Sequence, residues 1–219
     1  MLEESSILIK SLPFLLQGAF STLQIAIASI AIGLSGGLVI GVLNCRRLSN
    51  SFFAGILNTF VWVLRGTPLF VQVLIVYYAL PELIGISFTP FIAGVIALGM
   101  NSMAYNSEII RGGINAIPEG QWEAAYAVGL KPWQTLQGVI LPQMLRVALP
   151  SLTNELTALI RETSILMVIG VAELTKVSKD IVARELDPMT IYLAAAAIYL
   201  ILTTVIAMVA QFTQRRWKI

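Results

Sequence analysis

Five long apolar stretches constrain this chain more than any other feature. They cover residues 16–43, 52–80, 91–110, 145–171 and 189–212, and the fourth is the most polar. Each is about as long as the 20 apolar residues that a helix needs to cross the hydrocarbon core of a bilayer. Because lipid offers no partners to backbone polar groups, such stretches fold as helices. The sequence therefore predicts an all-α integral membrane protein with five transmembrane helices.

The low content of charged residues supports this prediction. Only 12% of the 219 residues are charged, 57% are hydrophobic, and the mean hydropathy is +0.83. A soluble domain has about 25% charged residues. The net charge of +2 is too small to indicate a nucleic-acid partner, so membrane lipid is the expected surrounding. With no linker or strong repeat visible, residues 1–219 are predicted to form a single transmembrane domain.

The sequence lacks the residues that most enzymes and metal sites use. It contains no His, so we predict neither catalytic nor metal-binding residues. Cys45 is the single cysteine, which excludes an internal disulfide and a cysteine metal cluster. No Gly-x-x-x-x-Gly-Lys-Ser/Thr run occurs, so the chain has no P-loop to hold a nucleotide. We therefore expect no cofactor in this chain, and an ATP-driven process would need a separate ATPase subunit.

The positions of Lys and Arg between the apolar stretches predict the orientation of the chain, because these residues are enriched in cytoplasmic loops. The basic residues of the predicted cytoplasmic side are Arg46, Arg47, Arg111, Lys131, Arg146, Arg215, Arg216 and Lys218. The loop at residues 81–90 has none. This alternation predicts the N-terminus outside and the C-terminus in the cytoplasm.

The segment between the fourth and fifth stretches is an exception to this alternation. Lys176, Lys179 and Arg184 fall there, on the predicted outer side. Because the other connections and ends agree, the five-helix prediction stands. Residues 173–187 are predicted to form a helix near the outer surface that ends before Pro188.

Small residues and one proline predict how the helices pack and bend. Gly33, Gly37 and Gly41 are spaced by four residues and therefore share one face of the first helix. Such a face lets another backbone approach closely in a membrane, so it is predicted to pack against a neighbouring helix. Pro68 removes a helical hydrogen bond within the second stretch, which predicts a kink there.

One polar segment, residues 119–142, interrupts the apolar pattern. It contains Glu123-Ala124-Ala125, in which alanine favours a helix, and Gly129, which favours its end. Glu119 opens the segment, where a carboxylate suits the positive end of the helix dipole. The segment predicts a short helix, a turn after Gly129 and a second piece that ends at Pro142.

The spacing of this segment resembles the EAA loop of ABC transporter permeases. That loop reads Glu-Ala-Ala, three residues, Gly, nine residues, Ile, any residue and Leu-Pro, and here Val139 replaces the Ile before Leu141-Pro142. The resemblance implies a cytoplasmic coupling helix that contacts an ATPase subunit, within a coupling loop of about residues 112–145. The residues to which it assigns this contact are Glu119, Glu123, Ala124, Ala125 and Gly129. Trp122 lies near a predicted interface, where it could settle between lipid and water or instead pack into the ATPase groove.

Further motifs resemble the polar amino acid permeases of that family, of the glutamine, histidine and arginine uptake type. The matching residues are Arg65-Gly-Thr-Pro-Leu69 with Gln72, Asn101-Ser102 with Ala104-Tyr105 and Glu108-Ile-Ile-Arg-Gly112, Asn154-Glu155, Arg161-Glu-Thr-Ser164 and Val168-Ile-Gly-Val-Ala-Glu-Leu174. The likeness runs from about residue 12 to the C-terminus. It implies a type I ABC importer permease fold in a bacterial cytoplasmic (inner) membrane protein.

The same resemblance implies a function and a set of partners. The chain would be the permease subunit of an ATP-driven importer of polar amino acids and would form the translocation pathway without being an enzyme. It would pair with a second permease subunit, either identical or a close paralogue. Two ATPase subunits would hold ATP and Mg²⁺, and an extracytoplasmic binding protein would deliver the amino acid.

Polar residues inside the predicted helices are candidates for the substrate pocket, because such groups in a span usually face a cavity, a partner or a substrate. Asn101, Tyr105 and Glu108 are spaced i, i+4, i+7 and form one stripe, while Glu155 and Glu162 share a face of the fourth helix. Glu155 could pair with the ammonium or cationic side chain of an amino acid. The predicted substrate-binding residues are Asn101, Ser102, Tyr105, Asn154 and Glu155.

The sequence leaves other roles and functions open. Glu155 could instead pair with Arg161 or Arg65 and only hold the helices together, and Asn101 could also be structural. The alternative function is a stand-alone secondary transporter or channel, and a membrane scaffold without transport is a third class. A secondary transporter would usually be longer and show repeated halves with broken helices. The choice among arginine, glutamine and histidine as substrate also stays open.

Overall fold

The computed structural model describes residues 2–45, 47 and 51–217, and this part of the chain is helical apart from short connections. We number the helices in chain order. They are α1 (Leu2–Leu43), α2 (Ser51–Gly66), α3 (Leu69–Ile84, with a π-helical turn at Ile75–Ala79), α4 (Pro90–Asn115), α5 (Glu119–Ala127), α6 (Pro132–Thr135, a π-helical turn at Leu136–Ile140, and Leu141–Glu162), α7 (Leu174–Glu185) and α8 (Pro188–Trp217). A 3₁₀ turn at Thr163–Ile169 follows α6.

Two polar segments are helical where the sequence predicts helices. α5 ends at Ala127, just before Gly129, and α7 ends at Glu185, before Pro188 starts α8. Both predictions of a helix are confirmed. Arg46 and Lys218, which the orientation prediction uses, lie outside the described residues, as do the side chains of Arg215 and Arg216.

Glu173 caps the start of α7 and is completely buried, with 0% of its surface exposed. Its carboxylate accepts hydrogen bonds from the backbone N–H groups of Thr175 at 2.9 Å and Lys176 at 2.7 Å, and from the Tyr199 hydroxyl at 2.8 Å. Burial raises the pKa of the Glu173 carboxyl, and these hydrogen bonds oppose that rise. The sequence analysis noted Glu173 only as part of the motif at residues 168–174.

The number of membrane crossings is only partly settled by helix length and hydropathy. Within the described residues, Ile7–Leu43 and Pro188–Gln214 are long and apolar enough to cross a bilayer alone. Phe52–Gly66 and Leu69–Ile84 reach this standard together but meet at an angle of 105°. The predicted second span is therefore two helices with a sharp break at the predicted kink, and the count of five spans stays a prediction.

The glycine face of α1 packs against α4. A Cβ on Gly33 would lie 2.6 Å from the Ser102 hydroxyl oxygen, and a Cβ on Gly37 would lie 2.7 Å from the Cβ of Asn106. Gly41 approaches the backbone of α4 in the same way, at 2.7 Å from a carbonyl oxygen. The predicted role of these glycines in close helix packing is confirmed.

Buried apolar clusters hold the two ends of α1. At one end, Leu15 packs with residues of α7 and α8, including Leu174 and Ile191. At the other end, Val42 packs with residues of α4, α5 and α6, including Trp122. The helical rise separates Leu15 from Val42 by about 40 Å. This geometry places α5 at one end of the molecule and α7 at the other.

Candidate functional site

Gln72 closes the break between α2 and α3. Its amide Nε2 donates hydrogen bonds to the backbone carbonyl oxygens of Leu64 at 2.6 Å and Thr67 at 3.1 Å. It also donates to the Thr67 hydroxyl at 2.9 Å. The last carbonyls of a helix have no partner inside the helix, so a broken helix in an apolar setting needs such donors. Gln72 therefore stabilises the break that Pro68 introduces.

Asn101 ties this break to α4. Its Nδ2 donates a hydrogen bond to the Gln72 side-chain oxygen at 3.1 Å, and the two residues are 6% and 7% exposed. The structural role that the sequence left open for Asn101 is therefore present in the fold. Gln72 carries a function that the sequence analysis noticed only as part of a motif.

Gln72→Met is expected to lower the midpoint of thermal unfolding of the purified protein. Methionine fills similar space but leaves the Leu64 carbonyl and the Asn101 amide without their partners, at about 1–3 kcal/mol for each buried group. The measurement is a melt in detergent followed by tryptophan fluorescence. Gln121→Met is the matched control, because the exposed amide of Gln121 accepts only a surface hydrogen bond from Gln143 at 3.0 Å. Equal midpoints for parent, control and Gln72→Met would contradict the role of Gln72.

Glu155 lies on α6, where its half-buried carboxylate faces α4. The buried Ser102 hydroxyl and the Glu162 carboxylate both lie near enough to influence the Glu155 carboxylate. In the described part of the chain, Arg65 lies beside Glu108 and Arg161 acts on Glu162, so neither arginine forms an ion pair with Glu155. A half-buried carboxylate without a cationic partner among the described residues favours the binding of a positive group.

The other predicted pocket residues surround this carboxylate unequally. Asn154 is exposed beside Glu155, and Tyr105 is 37% exposed on the same helix as Ser102. Ser102 is only 1% exposed and accepts a hydrogen bond from Asn106 Nδ2 at 3.0 Å. The structure thus brings Ser102 and Glu155 together, while Asn101 points its amide to the α2–α3 break.

α4 has an open face between α2 and α6. A cavity of about 400 Å³ lies on the α2 side, lined by residues that include Trp62, Arg65 and Glu108. A second cavity of about 280 Å³ lies on the α6 side, lined by residues that include Glu108 and Ser151. Because Glu108 borders both, the two cavities flank a single strip of α4.

α5 is anchored by one side and exposed on the other. Trp122 is 3% exposed and Ala125 is 4% exposed, and both face the chain's own core. Glu123 and Ala124 are exposed. The sequence left two places for Trp122, the lipid interface and an ATPase groove, and the structure buries it instead within this chain. The exposed face of α5 is free for a partner surface.

Gly129 ends α5 with a left-handed turn. Its φ is +83°, and the backbone N–H of Leu130 donates to the carbonyl oxygen of Ala125 at 3.1 Å, the bond of a Schellman motif. A Cβ at this position would meet nothing within 4 Å. The constraint on Gly129 is therefore its backbone conformation and not a lack of space.

An ion pair connects the first turn of α5 to the connection after α1. Arg47 donates a hydrogen bond to the Glu119 carboxylate, and the Arg47 guanidinium lies 5.3 Å from the centre of the Trp122 ring. The Glu119 side chain is 72% exposed. Since exposed ion pairs contribute little to stability, this pair orients the helix more than it stabilises it.

Comparison with known proteins gives matches over most of the chain. The profile of a family described as "Binding-protein-dependent transport system inner membrane component" matches residues 33–219. The chain is 41% identical over 214 residues to the glutamine transport system permease protein GlnP of Escherichia coli (strain K12), covering 95% of both chains. It is 37% identical over 210 residues to the arginine transport system permease protein ArtQ of Bacillus subtilis (strain 168), covering 96% of this chain and 95% of that one.

Solved structures give the same picture of the fold. A crystal structure of an amino acid ABC transporter with histidines contains a chain that aligns with a TM-score of 0.87 and 34% identity, covering 95% of this chain and 96% of that one. An inward-facing structure of the MetNI methionine ABC transporter aligns with a TM-score of 0.83 over 94% and 97% of the two chains. At 19% identity, this second likeness supports the fold alone.

Proposed function

Because this chain belongs to the family of binding-protein-dependent transport system inner membrane components, we propose that it imports polar amino acids of the glutamine, arginine or histidine type. It is an ABC transporter permease. A relative named for glutamine transport and another named for arginine transport support this class of substrate. The alternative of a stand-alone secondary transporter or channel has no comparable support.

The proposed substrate pocket lies where α4 and α6 meet. Glu155 would bind the ammonium or cationic group of the amino acid, helped by the like charge of Glu162 nearby. Ser102 would position the Glu155 carboxylate, and the partly exposed Tyr105 would border the pocket. Asn154 would contribute its exposed amide. Asn101 would shape the pocket through the α2–α3 break and could present its remaining polar atom to the substrate.

α5 is the proposed coupling helix, within a loop of about residues 112–145 of a single permease domain. The observation that carries this proposal is the division of α5 into a buried anchor, Trp122, and an exposed face with Glu123 and Ala124. A displacement of this helix by a docked partner would move α4 and α6, because Trp122 packs in the same core as residues of both helices. Glu119 and Gly129 would bound the docking face at its two ends.

The proposed partners are supported by the family to which the chain belongs. A pair of ATPase subunits would bind ATP and Mg²⁺ and dock on α5 from the cytoplasm, and this chain would hold no cofactor. A second permease subunit, identical or closely related, would complete the pathway, and an extracytoplasmic binding protein would deliver the amino acid. The proposed orientation in the bacterial inner membrane has the N-terminus outside and the C-terminus in the cytoplasm, with five crossings.

The test is uptake into proteoliposomes that contain the chain, its ATPase subunits and its binding protein. Labelled L-glutamine, L-arginine and L-histidine are compared with and without internal ATP. We expect at least one of them to accumulate only when both ATP and the binding protein are present. Uptake that runs down a gradient without ATP would favour a secondary transporter or channel, and uptake of none of the three would contradict the proposed class of substrate.

A further inference from the structure

Arg65 presents a guanidinium group that its neighbours leave partly unused. Glu108 is already neutralised by Arg111, whose Nε and Nη2 donate hydrogen bonds to the two Glu108 carboxylate oxygens at 2.9 Å and 2.7 Å. Arg65 Nη1 lies 3.6 Å from the Glu108 Oε2, which is too far for a hydrogen bond. The Arg65 side chain is 43% exposed. Its donors are therefore available to another acceptor.

The position of this guanidinium is fixed by an aromatic ring and opens to a cavity. The Arg65 guanidinium carbon lies 5.2 Å from the centre of the Tyr105 ring, within the range of a cation–π contact. It lines the cavity of about 400 Å³ together with Asn58 and Trp62. Ligand pockets of small molecules begin at about 300 Å³, so the space is adequate for an amino acid.

Arg65 and Glu155 approach the same open strip of α4 at nearly the same height, Arg65 from α2 and Glu155 from α6. Arg65 stacks on Tyr105 and Glu155 reaches Ser102, which is less than one helical turn away along α4, or about 5 Å of rise. Ser151, one turn before Glu155 on α6, lines the cavity on the other side of the Glu108 strip. A basic group on α2 and an acidic group on α6 thus flank the same open strip of α4.

We propose that Arg65 binds the α-carboxylate of the transported amino acid while Glu155 binds its ammonium group. This inference rests on the proposed function and adds a residue that determines its substrate class. Every amino acid carries both charges, and a guanidinium presents paired N–H donors that match the two oxygens of a carboxylate. The arrangement accepts a zwitterion and rejects an amine that lacks the carboxylate.

Glu108 competes with the substrate for Arg65 in this arrangement. Both are carboxylates, and both approach Arg65 from the cavity that it lines. When the substrate binds, Arg111 keeps Glu108 paired, so Arg65 can change partner without leaving a carboxylate uncompensated. Removing the Glu108 charge therefore strengthens substrate binding. A purely structural ion cluster predicts the opposite effect, because loss of Glu108 would weaken the fold around the cavity.

The test is equilibrium binding to the permease–ATPase complex in lipid nanodiscs, without the binding protein. The probes are labelled L-glutamine, L-arginine and L-histidine, each competed by its decarboxylated amine: 4-aminobutanamide, agmatine and histamine. Arg65→Gln is expected to weaken binding of the transported amino acid about ten- to a hundredfold and to leave amine binding unchanged. Arg65→Lys keeps a positive charge but lacks the paired N–H donors of a guanidinium. Its affinity for the amino acid should therefore fall between those of the parent and Arg65→Gln. Arg146→Gln, at an exposed position on α6, is the matched control.

The outcomes separate this inference from the proposed function. Parent-like binding of the amino acid by Arg65→Gln would overturn the role of Arg65 while uptake by the parent stays intact. If Arg65→Gln does not assemble, Glu108→Gln decides: tighter amino acid binding supports the proposal, and unchanged or weaker binding overturns it. A parent complex that binds and transports none of the three amino acids fails the proposed function, and the Arg65 inference fails with it.

Discussion

Gly129→Val is expected to reduce ATP-driven uptake about tenfold or more while the permease still inserts and still recognises its substrate. The native φ of +83° lies in the left-handed region, where a side chain with a Cβ costs about 1–2 kcal/mol and a β-branched side chain fits worst. The chain relieves this strain by changing the turn that ends α5. A displaced α5 no longer presents its exposed face to the ATPase at the correct angle, and about 1.4 kcal/mol already corresponds to a tenfold change.

Matched substitutions separate backbone strain from added bulk. Gly138→Val adds the same side chain into open space in the same loop, at a position without positive φ, so it should keep most of the uptake. Gly129→Asn should also keep more activity than valine, since asparagine tolerates the left-handed region. ATPase activity and uptake are measured on the same proteoliposomes. A Gly129→Val complex with uptake and stimulated ATPase activity equal to the parent would show that the turn is not needed for coupling.

Glu155→Gln is expected to lower uptake at limiting substrate about ten- to a hundredfold. Glutamine keeps the shape of the side chain and removes the charge that would hold the ammonium group of the substrate. Hydrogen bonds to charged groups contribute about 1.5–3 kcal/mol, which gives the expected range. The substitution should raise the substrate concentration needed for half-maximal uptake, and assembly with the ATPase should be unchanged. The measurement is initial uptake rate against the concentration of loaded binding protein.

Glu82→Gln is the control for this substitution. Glu82 is an exposed carboxylate near the end of α3 and is not among the proposed pocket residues, so its neutralisation should not change uptake. If Glu155→Gln transports as well as the parent, the carboxylate has no role in substrate binding. A loss of thermal stability in Glu155→Gln with normal uptake would return Glu155 to the structural role that the sequence left open.

Patterns with a regular period could be predicted from the sequence. The spacing of Gly33 and Gly37 placed them on one helix face, and that face does pack on α4. α5 and its end at Gly129 were also predicted, because the helix formers, the helix-ending glycine and the spacing of the segment all agree. These features depend on neighbours along the chain, which the sequence displays directly.

Features set by contacts between distant residues were missed. Pro68 predicted a kink, but not a break of 105°. The hydrogen bonds that Gln72 donates at this break depend on backbone carbonyl oxygens that become free only where the helix stops. Trp122 was assigned to the interface or to a partner, since aromatic residues near loops often lie there. It is buried because the end of α1, the end of α4 and the start of α6 surround it, and no local pattern in α5 indicates that enclosure.

The orientation of the chain and the docking face of α5 can be tested together with two neighbouring alanines. Ala124 is exposed and Ala125 is 4% exposed, while the native Cys45 is buried at 1%. Ala124→Cys and Ala125→Cys are labelled with a membrane-impermeant maleimide in right-side-out and inside-out vesicles. Each labelling is repeated with and without the ATPase subunits.

We predict that Ala124→Cys is labelled only in inside-out vesicles and that bound ATPase subunits suppress this labelling. Ala125→Cys should react weakly in every condition, because its side chain packs into the core of the chain. Labelling of Ala124→Cys in right-side-out vesicles, or equal labelling with and without the ATPase, would contradict the claim that α5 couples this permease to an ATPase in the cytoplasm.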